Sequence, residues 1–286
     1  MITTNGKLVV KRYLAQYVPT MAQSIAFGIG AATETLADIA LQLQVAQSQI
    51  DVVAYDFVNN AVVYKASVPD DYVGSIYEVG LYSLVEDPNA TNFGSQTLST
   101  FDSQTELWTD TGTGNASTFG ASSTRVGIDS LLQTPALSTT KTDRLAALTL
   151  DLSGYSGSDY FTFAYNVGNT NTTGVTFRFM TDGSNYYSFA LSGTNVTTTG
   201  YKIVTANKST ATVTGAPSWA NITEIQVATT SGAGGASALA FDAIRIEDVD
   251  SINLDYVLVA RKVLSSPVTK VAGQAQDIEF SLDVTV

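Results

Sequence analysis

The sequence predicts a mainly β protein: an antiparallel β-sandwich inserted in a smaller mixed α+β or β domain built from both chain ends. Three observations carry this reading. From about residue 49 the apolar residues recur with the period of two that places alternate side chains on opposite faces of a strand. Residues 90–250 are rich in Thr, Ser, Gly and Asn, which separate short β-branched and aromatic runs at regular spacing. After residue 250 the texture reverts to that of the first segment. The expected boundaries are 1–92 with 251–286 for the host domain and 93–250 for the sandwich.

The elements follow in order. "NGKLVVKRYLAQYV" predicts a helix with Asn5 as N-cap, Leu8, Val9, Arg12, Tyr13 and Tyr17 on one face, and Pro19 beyond its end. "SIAFGIG" reads as a short apolar strand, and "TETLADIALQLQVA" as either a helical turn or a strand preceded by a loop. "QIDVVAYDFVNNAVVYKASV" gives two strands joined at Asn59-Asn60, residues that tolerate the positive φ of a tight turn. In "SIYEVGLYSLV", Ile76, Glu78, Gly80 and Tyr82 share one face. The sandwich strands are "YFTFAYNV", with Phe161, Phe163, Tyr165 and Val167 on one face, then "GVTFRFM", "NYYSFAL", "GYKIVT", "ITEIQVA" and "LAFDAIRI". "NLDYVLVARKVLSS" and "QDIEFSLDVTV" close the chain, the last alternating Ile278, Phe280, Leu282, Val284 and Val286 against polar residues.

Composition narrows the chemistry. The 286 residues are 44% apolar and 14% charged, which suits a packed core. The 14 basic against 26 acidic residues give a net charge of −12, which argues against nucleic acid or an anionic membrane as partner. No apolar run approaches the roughly 20 residues of a membrane span, so no membrane insertion is expected. The N-terminus shows no h-region, and no signal peptide is expected.

With no Cys and no His, Ser-His-Asp and Cys-His catalysis, thiolate zinc sites and disulfides all drop out. Carboxylate pairs such as Glu106 with Glu224 are the catalytic chemistry left open. Nothing in the sequence singles one out, and no enzyme is expected. Glu78, alone in an apolar strand, reads as a structural carboxylate paired to a Lys or Arg, at an edge or at a subunit contact.

Binding remains. Trp108, Tyr165, Tyr186, Tyr187, Tyr201 and Trp219 offer flat faces for sugar rings, with Arg178 and Asn185 as hydrogen-bonding neighbours. A sugar presents an apolar C–H face and a hydroxyl rim, which an aromatic beside a polar side chain matches. Tyr186 and Tyr187 point to opposite faces, so one of them at most serves a given surface. Asp102 and Asp242 are the notable carboxylates, and their partner is either an Arg or a cation such as Ca²⁺. Six Asn-X-Ser/Thr sequons, at Asn89, Asn115, Asn171, Asn195, Asn207 and Asn221, read as products of an Asn- and Thr-rich composition.

Two resemblances add to this. The order "IAFGIG", "ETLADIALQLQV", "VNNAVVYKASVP" and "GSIYEVGLYSL" in residues 5 to about 85 resembles the N-terminal domains of tailed-virus tail-fibre and collar-type proteins. These carry a "GxG" strand, a "T..D..L" turn and a closing "I.EVGL" strand, and they attach a distal module to the virion. The segments "FD....LW", "RVGIDSLL", "LDLSGYSGSDYFTFAYNV", "VTFRFMTDGSNYYSFAL" and "LAFDAIRIED" are similar to the galactose-binding-like jelly rolls used by carbohydrate-binding modules. That likeness implies a structural Ca²⁺ near Asp102 and Asp242. Together they imply a tail- or fibre-associated virion protein that displays a jelly roll for host-surface glycan adhesion. Its expected partners are other virion proteins and further copies of itself, as a homotrimer or other symmetric oligomer. A capsid decoration or turret protein, and a non-viral carbohydrate-binding accessory protein, are the alternatives.

Overall fold

A computed structural model of the chain describes residues 1–16, 20–83, 95–249 and 257–283. The expectations for Tyr17, Pro19, the Asn89 sequon and the strand end at Val284 and Val286 lie outside the described residues. The chain divides into two compact units, Met1–Gly94 with Val249–Val286, and Ser95–Asp248. It is mainly β, with 49% of residues in strands against 7% in helices.

In chain order the first unit begins with helix α1 (Thr4–Leu14) and strands β1 (Ser24–Gly28), β2 (Gln44–Gln49), β3 (Val52–Asp56), β4 (Ala61–Ser67) and β5 (Gly74–Tyr82). The second unit holds β6 (Gln96–Ser99), β7 (Trp108–Asp110), β8 (Thr118–Gly120), β9 (Ser130–Gln133), β10 (Thr140–Leu145), β11 (Tyr160–Val167), β12 (Thr172–Met180), β13 (Tyr186–Leu191), β14 (Gly200–Asn207), β15 (Thr212–Thr214), β16 (Glu224–Ser231) and β17 (Leu239–Glu247). The first unit resumes with β18 (Leu258–Lys270) and β19 (Asp277–Asp283).

The first unit pairs β18-β5-β1-β2 in one sheet and β19-β4-β3 in another. Ile25, Phe27, Val79 and Leu81 from the first sheet meet Tyr64, Ala66, Phe280 and Leu282 from the second in a common core. The cap of helix α1 lies two residues before the predicted one: Thr3, not Asn5, is the N-cap, and its side chain accepts from the Gly6 N–H. It lies against β18 so closely that a Cβ on Gly6 would sit 1.9 Å from the Val259 carbonyl oxygen. Of the predicted face, Val9 alone among the described residues is buried. Gly6 and Val9 are the helix residues that pack inward, while Leu8, Arg12 and Tyr13 face solvent. The ambiguous "TETLADIALQLQVA" resolves as a loop leading into β2. The register of β18 against β5 shifts between Val263 and Val268, around Pro267, which has no N–H to give a ladder.

The second unit is an antiparallel sandwich. One sheet runs β15-β13-β12-β16-β10-β7, and the other runs β14-β11-β17-β9-β8, with β6 also on β17. Alternation along β11 sends Phe161, Phe163, Tyr165 and Val167 inward, and β12 answers with Val175, Phe177 and Phe179. Phe163 stacks on Phe177 at 4.1 Å between centroids, and Phe161 lies 4.6 Å from Phe179. These aromatics glue the two sheets of the second unit together.

Candidate functional site

Inward burial of Val175, Phe177 and Phe179 forces Thr176 and Arg178 onto the outer face of the six-stranded sheet that contains β12. Ladder register sets their neighbours. Arg178 stands opposite Ser188 on β13 and Gln226 on β16, and Gln226 stands opposite Arg144 on β10. One residue pair along, Met180 is flanked by Tyr186 and Glu224.

These side chains form a continuous chain across four strands. The Arg178 guanidinium lies 5.4 Å from the centroid of the Tyr186 ring. Its Nη1 donates to Gln226 Oε1 at 3.3 Å. Gln226 Nε2 donates to Glu224 Oε1 at 2.6 Å, and Glu224 Oε2 lies 3.5 Å from Arg144 Nη1. Tyr186, Arg178, Gln226 and Glu224 are half-buried, so each is held by its neighbours while still touching water. The row presents an aromatic ring, two guanidinium groups, an amide and one carboxylate to a ligand lying across the strands. This is a set that can grip hydroxyls and cover a C–H face.

Of the residues singled out in the sequence, Arg178 and Tyr186 come together here. Trp108 and Tyr165 do not. Trp108 is 2% exposed, stacked on Phe101 at 4.6 Å, with its Nε1 donating to Glu106 Oε2 at 2.8 Å. Tyr165 is fully buried, and its hydroxyl donates to the Asn195 carbonyl at 2.9 Å. Both belong to the core because their strand positions point between the sheets. Trp219 is half-buried and lies flat on Tyr187, 3.8 Å between centroids and 4° between planes. Asn185 spends its amide on structure, donating to Asp182 of the β12–β13 turn at 2.7 Å and accepting from the Ala216 N–H, beyond β15, at 2.7 Å.

Gln226, Glu224, Arg144 and Ser188 were not picked out from the sequence as binding residues. The available signal was the alternation itself, since Glu224 and Gln226 interleave with inward Ile225 and Val227 in "ITEIQVA".

Asp102 and Asp242 hold loops rather than ligands. Asp102 accepts from the Gln104 and Ile128 N–H groups at 2.9 and 3.0 Å. Asp242, fully buried, accepts from the Arg125 and Val126 N–H groups and from the Tyr201 hydroxyl, with the Arg125 guanidinium 3.8 Å over the Tyr201 ring. Burial pushes the Asp242 carboxyl up to about 7, against the pull of these hydrogen bonds. A Ca²⁺ ion needs converging oxygens, whereas both carboxylates are met by N–H and O–H donors. The residues present do not fit the ion. Among the described residues no cluster of three or more Asp, Glu, His or Cys is arranged to hold a metal. Glu106 is likewise committed, accepting from Ser99 Oγ, the Thr100 N–H and Trp108 Nε1.

In the first unit, Glu78 sits on β5 between β18 and β1 and is fully buried. Its Oε2 meets Arg261 Nε at 2.7 Å, and its Oε1 accepts from the N–H groups of Gly30, Gln42 and Leu43. Arg261 also binds Asp38 at 2.7 Å and the Ala32 carbonyl at 3.0 Å. The expected basic partner is thus Arg261, and the strand is central rather than at an edge.

No protein-family model matches this chain, and no curated protein matches it. Solved structures similar to part of it include PfGH50B, with a TM-score of 0.38 at 10% identity over 57% of this chain. This chain spans 24% of PfGH50B. A non-crystalline cellulose-specific carbohydrate-binding module, CBM28, gives a TM-score of 0.35 at 13% identity, covering 50% of this chain and 89% of that one. A family 11 carbohydrate-binding module from Clostridium thermocellum, in complex with a β-1,3-1,4-mixed-linked tetrasaccharide, gives 0.35 at 11% identity, covering 61% and 96%.

Proposed function

We propose that the protein is a non-catalytic adhesin-type display protein that binds glycans on the outer face of the β15-β13-β12-β16-β10-β7 sheet. The observation that carries this reading is the row Tyr186, Arg178, Gln226, Glu224 and Arg144. Its first four side chains are half-buried, and Arg144 is exposed at the end. The row is linked by hydrogen bonds from Arg178 through Gln226 and Glu224 to Arg144, and by the Arg178 guanidinium against the Tyr186 ring. Its side chains are positioned before any ligand arrives, which lowers the ordering cost of binding. The row holds a single carboxylate, Glu224, whereas glycoside hydrolysis generally needs two. The order of motifs in residues 5–85 supports a tail- or fibre-associated place in a tailed-virus particle, with the first unit as the mount. Few copies per particle by quantitative mass spectrometry is the expected result, and hundreds of copies would favour a shell decoration instead.

A glycan array probed with the full chain tests the adhesion. The expected result is binding to at least one glycan class that weakens about tenfold in Tyr186→Ala, the loss of about 1.4 kcal/mol that one aromatic contact supplies. Absence of binding even to millimolar sugar in solution would overturn it.

A further inference from the structure

The first unit carries two exposed apolar patches of opposite charge, and we infer that they fit each other: the β3–β4 hairpin tip of one copy docks on helix α1 of the next. At the tip, Phe57 is 88% and Val58 91% exposed. They are not on a loose loop. Asp56 Oδ1 accepts from the Val58 and Asn59 N–H groups at 2.8 and 3.1 Å, and Oδ2 accepts from Asn59 Nδ2 at 2.6 Å. Asn60 closes the turn with a φ of 51°. An ordered turn that holds two large apolar side chains in water is the geometry of an interface knob. The tip is also acidic, because Asp56 and Asp283 both stand opposite Ala61 in one cross-strand row.

Helix α1 supplies the counterpart. Leu8 is 51% and Leu14 75% exposed, and the same helix carries Lys7, Lys11 and Arg12 and no acidic residue. Among the described residues none of these three cations forms an ion pair. In a chain with 14 basic residues and a net charge of −12, three cations and two exposed leucines on one helix suit an acidic and apolar partner. The hairpin tip of the same chain is one. Because the two patches differ, the contact is head-to-tail, and repetition closes a ring or extends a filament. Such assembly would multiply the weak glycan faces carried by each copy.

The chain has no cysteine, so single-cysteine variants test the contact directly. Full-length Leu14→Cys and Val58→Cys proteins are mixed under mild oxidation. A disulfide-linked dimer from the mixture, absent from either variant alone, is the expected result. Sedimentation should show the 30.2 kDa monomer giving way to larger species with concentration, less so at high salt. Phe57→Asp/Val58→Asp and, separately, Lys11→Glu/Arg12→Glu should remain monomeric with unchanged melting. A monomer at every concentration up to about 1 mM, the weak-affinity end of the scale, would overturn the inference. So would association that survives both double variants, or dimers of each cysteine variant with itself alone.

Discussion

At the scale of single residues, two buried carboxylates illustrate opposite ways of keeping an ionisable group out of water. Glu78 is matched by a cation. Burial raises it above the ordinary carboxylate value, while Arg261 and the N–H groups of Leu43 and Gly30 pull it down. Removing the cation alone leaves that charge uncompensated, so Arg261→Met should cost about 3–5 kcal/mol and release the loop that Glu78 pins. Chemical denaturation measures it. Asp242 is held chiefly by hydrogen-bond donors, with the Arg125 charge nearby, and burial raises it from 3.8 to about 7. The folded protein therefore binds a proton that the unfolded chain releases between those values. Stability should fall as pH rises from about 4 to about 7 and level off above. Asp242→Asn should remove that slope in melting curves recorded across the range. The sequence marked both carboxylates as needing partners. It did not reveal which, because Arg261 is 183 residues from Glu78 and the Asp242 donors are two backbone N–H groups of a distant loop and the Tyr201 hydroxyl.

At the scale of elements, the strands were legible and their edges were not. Period-two alternation located β11, β12 and β16 because both sheets bury one face and wet the other. The same alternation contains the outward row of Tyr186, Arg178, Gln226 and Glu224, whereas the aromatics Trp108 and Tyr165 are committed to the core. Phe163→Ala should accordingly cost about 3–5 kcal/mol, seen as a large drop in the denaturant midpoint, whereas Arg178→Ala should leave stability nearly unchanged. Helix α1 was legible as a helix, but its cap and buried face were not. Those depend on Val259 and Leu258 of β18: Thr3 Oγ1 donates to the Leu258 carbonyl at 2.5 Å, and Gly6 is crowded by Val259. Thr3→Ala should cost about 1 kcal/mol through the cap alone and more through the lost tie to β18.

At the scale of the whole molecule, each unit's chain ends are fastened together. Asp248 N–H donates to Ser95 Oγ at 3.3 Å in the second unit. In the first, Ser83 N–H donates to the Val257 carbonyl at 3.0 Å and Val257 N–H donates to Ser83 Oγ at 3.1 Å. Replacing residues 84–256 with a short Gly/Ser linker from Ser83 to Val257 should leave a first unit that melts cooperatively, as calorimetry would record. The composition changes near residue 90, where the Thr/Ser/Gly/Asn-rich segment begins, and the chain divides by contacts at Gly94 and Val249. The proposed glycan face has no such signature, since its side chains meet only across β10, β12, β13 and β16. The most direct test titrates the best array glycan into the full chain by calorimetry, beside Tyr186→Ala and a control on the opposite sheet, Thr205→Ala. The expected result is an affinity lowered about tenfold in Tyr186→Ala and unchanged in the control. Equal affinity in all three proteins would contradict the assignment of the binding face.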